Sequence, residues 1–213
     1  MYSPLRSLIT PGTRTKSTRA RKSKESPLRL NLGCGSNRIE GFVGVDYAPS
    51  STVDVLHDLT RAPWPWADNS VDEIVSSHLV EHIPMTDVSY PGYDRPIDAL
   101  CAFMNEVWRI LKPNAGIRLQ YPHHASDRAW WDPTHRRCLP PMTWHYFTAA
   151  WREANQLTQY PILTDFEILS ISYEGVDQAT AMRTEQVRDE RISTLRNQVQ
   201  DTSVILRKPE AAA

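Results

Sequence analysis

The sequence predicts an α/β domain of the doubly wound class, with a mostly parallel sheet and crossover connections on its faces. Three observations carry this expectation. Short apolar runs of strand length recur from residue 28 onward, separated by helical or loop stretches, as a parallel sheet requires. One strongly amphipathic helix stands between the fourth and fifth of these runs. The chain of 213 residues, 40% hydrophobic and 23% charged, suffices for one core.

Each element has its own justification. "LRLNLG" (28–33) has the length and apolar content of a buried strand and ends in Gly33-Cys34-Gly35. "FVGV" (42–45) ends in Asp46, and "VDVLHD" (53–58) alternates and ends in Asp58. "VDEIVSS" (71–77) runs directly into "HLVEHIP" (78–84). In "DALCAFMNEVWRIL" (98–111), Leu100, Phe103, Met104, Val107 and Leu111 repeat at three- and four-residue steps, with Asp98 placed as N-cap. Residues 112–116, "KPNAG", stop that helix, and "IRLQYP" (117–122) reads as a fifth strand. After a His-, Arg- and aromatic-rich segment, "FEILSISYEGV" (166–176) and "TSVILRK" (202–208) read as closing strands. The charged stretch between them, 178–200, carries a sparse stripe through Val187, Ile192, Leu195 and Val199 and reads as a surface helix.

The spacing of the first two strands is short. Gly33 and Asp46 stand 13 positions apart, whereas a complete crossover with its helix needs about a dozen residues. The first crossover helix is therefore shortened to a turn or two, or absent. In a nicotinamide-binding domain the equivalent acid lies about 20 residues on, so that class is disfavoured.

Charge is distributed unevenly. Residues 1–27 hold seven of the chain's 24 basic residues and one of its 25 acidic ones. Rich in Ser, Thr and Pro and poor in apolar residues, this head cannot offset its ordering entropy and is expected to be a disordered basic arm, preceding a single domain over 28–213. The acidic remainder opposes an extended nucleic-acid footprint, so a nucleic-acid contact is expected only through the arm. The three cysteines, Cys34, Cys101 and Cys138, form no C-x-x-C pair and point to a reducing, cytoplasmic setting. No apolar run approaches the roughly 20 residues of a membrane span, and no membrane partner is expected.

Taken in order, "LNLGCG" (31–35 at its core), "VGVD" (43–46), "LHDL" (56–59), "APWPWADNSVDEIVSSHLVEHI" (62–83) and "EVWRILKPNAGIRL" (106–119) resemble the class I S-adenosylmethionine-dependent methyltransferases, in particular the small type 11-like group. The resemblance implies a Rossmann-like, seven-stranded sheet with a C-terminal antiparallel strand and S-adenosylmethionine as cofactor. It places Gly33, Cys34 and Gly35 at the methionine half of the cofactor, Asp46 at the ribose hydroxyls, and Asp58 and Leu59 at the adenine. His78 would face the methylsulfonium region, with Glu81 and His82 bracing a short helix. Physical chemistry agrees at two points. Glycines let backbone N–H groups approach a ligand without a Cβ clash. A strand-end carboxylate can accept from both ribose hydroxyls.

"HLVEH" also has the H-x-x-E-H spacing of inverted zinc metallopeptidases. That reading needs His78 and His82 one turn apart on a continuous helix. The strand before them and Pro84 after them leave scarcely one turn, so no metal is expected and zinc hydrolysis is the least favoured function. All seven histidines fall between residues 57 and 145, and His123, His124 and His135 follow the fifth strand, where such sheets place ligands. They are the candidate general bases for methylation of a small-molecule or glycan-like acceptor, expected at oxygen. Trp130, Trp131, Trp144 and Tyr146 are candidates for an apolar or sugar-stacking wall, and Arg128, Arg136 and Arg137 for holding an anionic group. Residues 86–96 read as a lid. A non-catalytic cofactor-binding accessory module is the main alternative, followed by a nucleic-acid methyltransferase guided by the arm.

Overall fold

The computed structural model describes residues 26–210, so the basic arm, but for Ser26 and Pro27, lies outside the described residues. In chain order the strands are β1 (Arg29–Leu32), β2 (Val43–Asp46), β3 (Val55–Leu56), β4 (Val71–Ser77), β5 (Asp87–Val88), β6 (Ile97–Asp98), β7 (Leu111–Pro122), β8 (Glu167–Glu174) and β9 (Asp201–Arg207). The α-helices are α1 (Ala99–Ile110), α2 (Arg128–Trp131), α3 (Ala149–Ala154), α4 (Gln178–Ala181) and α5 (Glu185–Thr194). Val80–His82 and Pro141–Phe147 are 3₁₀ segments.

Seven strands form one sheet in the order β3-β2-β1-β4-β7-β9-β8. Pairing is parallel from β3 through β7, and β9 runs antiparallel between β7 and β8, as the sequence led one to expect. Among the described residues no helix is long and apolar enough to cross a membrane. The stripe of α1 is buried as Leu100, Phe103, Met104, Val107 and Ile110, packed with Leu30, Leu32, Ile74, Ile117 and Leu119 of the sheet. Asp98 caps α1 by accepting from the Leu100 N–H at 2.9 Å.

Two differences from the sequence expectation have clear physical origins. The segment "KPNAG" is not a loop after the helix but the bulged start of β7, whose pairing with β4 jumps from Val71–Leu111 to Glu73–Gly116. Pro113, exposed and without an N–H, sits in the irregular stretch where no ladder bond is lost. The surface helix over 178–200 divides into α4 and α5, with Ile192 buried between charged neighbours.

The strand order fixes which face each connection covers. Moving β1→β2→β3 runs one way across the sheet and β4→β7 the other, so right-handed crossovers fall on opposite faces. The α1 face is filled. The face crossed by residues 33–42 and 47–54 receives no helix, because both connections are too short to hold one. Its strands answer with polar side chains: Arg29 pairs with Glu73, and Gln120 donates to Glu174 at 2.9 Å. The doubly wound topology thus survives with one helical layer reduced to turns.

The β3–β4 connection returns on the α1 face and is pinned there by one carboxylate. Glu106, 1% exposed, accepts from the Trp64 backbone N–H at 2.6 Å, the Tyr90 hydroxyl at 3.1 Å and the Arg109 guanidinium at 2.6 and 2.9 Å. Arg109 also donates to the Trp64 and Trp66 carbonyls and to Asp68. Its charge is held on by Glu106, which more than offsets burial. Removing one partner of a buried pair typically costs about 3–5 kcal/mol. Glu106→Ala should therefore lower unfolding stability by about that amount, read as a fall in the urea midpoint at unchanged m-value.

Candidate functional site

At the carboxyl ends of β1, β2 and β4 the chain encloses a cavity of about 680 Å³. Of the residues expected to hold a cofactor, Gly33, Gly35, Asp46, Asp58, Leu59 and His78 all line it. Cys34 does not: its thiol is buried, turned toward the Thr52 carbonyl, and burial raises its pKa.

Glycine is required in the first turn by backbone geometry. Gly33 and Gly35 have φ of +68° and +50°, in the left-handed region, and a Cβ on Gly35 would meet nothing within 4 Å, so its backbone borders open space. The Gly33 and Cys34 N–H groups both reach the Val45 carbonyl, at 2.8 and 3.1 Å. Asp46 completes the turn by accepting from the Gly35 N–H at 2.9 Å and from the Ala48 N–H at 3.0 Å, one bond on each carboxylate oxygen. Each oxygen keeps acceptor capacity for a ligand hydroxyl. At the cavity's far end Asp58 accepts from Thr60 N–H and hydroxyl and from the Arg61 guanidinium. Burial alone would raise the Asp58 carboxyl, but these donors outweigh it and hold its pKa below the ordinary value.

His78 occupies the strand-to-loop junction after β4 with φ of +54°. Its N–H donates to the Gln120 carbonyl at 2.8 Å, locking the chain to β7. The ring is held on both sides, Nδ1 lying 3.2 Å from Glu81 Oε1 and Nε2 3.6 Å from Asp201 Oδ2. The hydrogen bond to Glu81 raises its pKa against the opposing effect of burial.

The histidines after Pro122 are placed differently from one another. His123 is 2% exposed, its Nδ1 accepts from the Ala125 N–H at 3.2 Å, and its ring packs on His124 and Tyr173. Burial, and then the neighbouring His124, push its pKa down to about 4. Burial also lowers His124. Neither lines the cavity. His135 packs edge-on against His82 with ring centroids 4.8 Å apart, between the cavity-lining Thr134 and Arg136.

The aromatic and arginine candidates also separate. Trp130 and Trp131 are 62% and 70% exposed, whereas Trp144 is fully buried and donates to the Tyr121 hydroxyl oxygen at 2.6 Å. Tyr146 stacks on Tyr160. Arg137 is a brace, bonded to the Ile83 and Pro84 carbonyls and to Asp98, and Arg128 leans on Asp201 and Gln200. Arg136 alone of the three lines the cavity. Residues 86–96 do not lie over it: β5 and β6 pair, and Tyr90 is buried against Glu106.

Sequence reasoning passed over Tyr47, His57 and Thr134 as cavity residues. The first two adjoin Asp46 and Asp58, so their positions were available from the motif. Thr134 arrives from a distant loop. The His57 Nε2 is buried with no partner, an orphaned polar atom on a cavity wall. A larger cavity of about 850 Å³ lies between β8 and α5, but neither the glycine turn nor any strand-end carboxylate borders it.

A sheet of this order with a glycine turn and a strand-end carboxylate over its ligand cavity is the class I S-adenosylmethionine-dependent methyltransferase fold. No family model matches the chain, and no curated protein matches it by sequence. Among solved structures it is similar to a SAM-dependent methyltransferase from Archaeoglobus fulgidus, at 18% identity, over 87% of each chain, with a TM-score of 0.56. It is also similar to an S-adenosylmethionine-dependent methyltransferase from Mesorhizobium loti, at 14% identity, over 85% of this chain and 91% of that one, with a TM-score of 0.48. The fold rests on the first of these and on the strand order.

The burial of His123 has a consequence for stability. An unfolded chain takes up its proton near pH 6.5, the folded chain only near pH 4. Stability is therefore full above pH 6.5 and falls by roughly 1.4 kcal/mol per pH unit between those values. His123→Asn, which keeps an acceptor for Ala125 N–H, should flatten that part of the curve of urea midpoint against pH.

Proposed function

We propose that this chain is a methyltransferase that moves a methyl group from S-adenosylmethionine to a hydroxyl oxygen of a small-molecule or glycan-like acceptor. The observation that carries the reading is Asp46. Its carboxylate is tied to the glycine turn and retains free acceptor sites toward a cavity of a size to hold a nucleoside cofactor. The residues around it fit that cofactor: open space beyond Gly35, the orphaned His57 Nε2, and Asp58 and Leu59 at the opposite end.

S-adenosylmethionine supplies a methyl on positive sulfur, so that a C–O bond forms as the S–C bond breaks and a neutral thioether leaves. The protein's part is orientation, plus acceptance of the hydroxyl proton. Orientation of this kind is worth up to about 7–11 kcal/mol. Among the histidines, His78 is best supported as the base, since it lines the cavity and Glu81 fixes its ring from the Nδ1 side. This displaces the expectation of His123 and His124, whose rings lie away from the cavity and whose pKa values are lowered. The cavity-lining Arg136 supports an acceptor that carries an anionic group.

Calorimetric titration with S-adenosylhomocysteine tests the cofactor. Saturable one-to-one binding is expected, weakened at least tenfold in Asp46→Ala; no binding, or equal binding by that variant, would refute the proposal. The base is tested with labelled methyl donor and a panel of hydroxylated sugars and phenols. His78→Gln should cut turnover about 10²- to 10⁴-fold, with a far smaller change in cofactor affinity.

A further inference from the structure

The H-x-x-E-H segment does not form the helical zinc site its spacing resembles. His78, with φ of +54°, stands before the 3₁₀ turn rather than on it, and its Nδ1 is occupied by Glu81. The tertiary fold assembles a different trio. Glu81, His82 and His135 each present one ligand atom, and the three lie within 4.8 Å of one another. We infer that these residues form a site for a divalent first-row transition ion at the rim of the cofactor cavity.

Glu81 provides the strongest reason. Its side chain is 3% exposed, Oε1 faces His78, and Oε2 is buried with no hydrogen-bond partner. A buried carboxylate oxygen without a partner is costly, and a cation held by the two neighbouring imidazoles would compensate it.

The two imidazoles are prepared for the same role by their outer neighbours. His135 Nδ1 lies 3.1 Å from the Ala129 carbonyl, which can only accept, so the proton sits on Nδ1 and the Nε2 lone pair is free. The hydroxyl of Thr134 donates to Asp132 at 2.6 Å, so its contact with His82 Nδ1 at 3.1 Å is one in which the ring donates. His82 Nε2 is then free as well. An N–H directed at an oxygen acceptor, leaving the other nitrogen for metal, is the outer-shell arrangement of metal-bound histidine. Asp132 Oδ2 lies 3.9 Å from His135 Nε2, at the edge of the trio.

The backbone holds the trio together. The Arg136 and Arg137 N–H groups both donate to the Glu81 carbonyl, at 2.7 and 3.0 Å, which fastens the 132–137 loop onto the 3₁₀ turn. Ligands of a four-coordinate ion at about 2.0–2.2 Å lie about 3.3 Å apart, so closure from the present spacing needs only side-chain rotation. Two neutral imidazoles and one carboxylate suit zinc and its neighbours over calcium or magnesium. Three protein ligands leave a coordination position open. His82 and Thr134 line the cavity, and that position takes an oxygen of the acceptor, a role that rests on the methyltransferase reading, whereas the site itself does not.

Protein stripped with a chelator and titrated with Zn²⁺ should bind one equivalent, and substitution with Co²⁺ should give the visible absorption of nitrogen and oxygen ligation. His135→Gln and His82→Gln should each weaken binding about 10- to 100-fold, with circular dichroism confirming that they remain folded. Absence of stoichiometric zinc binding, or binding unchanged in both variants, would overturn the site. S-adenosylhomocysteine titrated into the same metal-free protein separates the two proposals: its binding without zinc binding overturns the metal site alone, and zinc binding without it supports the metal site and overturns the cofactor reading.

Discussion

A buried carboxylate that cannot be left uncompensated stands at the rim of the cavity. Glu81 is 2% exposed, and two segments converge on it: the end of β4, whose His78 ring meets the carboxylate, and the 132–137 loop, whose Arg136 and Arg137 N–H groups donate to its backbone carbonyl. Its neighbour His82 meets His135 of that loop. Burying a charge without partners is among the most expensive things a fold can do, so the geometry of the whole cavity rim follows from how this one residue is satisfied. Arg137, tied to Ile83, Pro84 and Asp98, anchors the loop from its other end.

On the opposite wall the constraint is conformational. Gly33 and Gly35 take up left-handed backbone that other residues adopt only with strain, and Asp46 accepts from Gly35 to keep the turn closed. Gly44 lies behind it, where an added Cβ would come within 2.2 Å of the Thr52 carbonyl. This close packing lets β2 and the 47–54 connection do without a crossover helix. The face that results is polar, with Arg29 beside Glu73 and Gln120 beside Glu174 where a helix would cover apolar side chains.

The roles of the aromatic and histidine residues after β7 divide by burial. Trp144 and Tyr121 build core and satisfy each other's polar atoms, whereas Trp130 and Trp131 are exposed. His123 is consumed in packing between His124 and Tyr173, and only His135 reaches the region of the cavity. A stretch of uniform composition thus yields a core segment, a brace and a rim.

Much of this was legible in the residues alone. Period-two and period-3.6 patterns marked the strands and α1, the 13-position spacing from Gly33 to Asp46 announced the missing first helix, and six of the seven expected cofactor residues share one cavity. These are local properties, set by hydrophobic periodicity, glycine φ and strand ends. Long-range pairings were not legible: Glu106 with Trp64 across 42 residues, Arg137 with Asp98, and His135 with His82 across the sheet's edge. Nothing in local sequence distinguishes a His or Arg that will pack from one that will face a ligand, because that depends on which distant backbone it meets. By itself the sequence determined a mostly parallel sheet with a glycine turn and a carboxylate at its strand ends. Only the tertiary structure decided which titratable side chains gather there, since burial and partnership of charge are properties of the assembled chain.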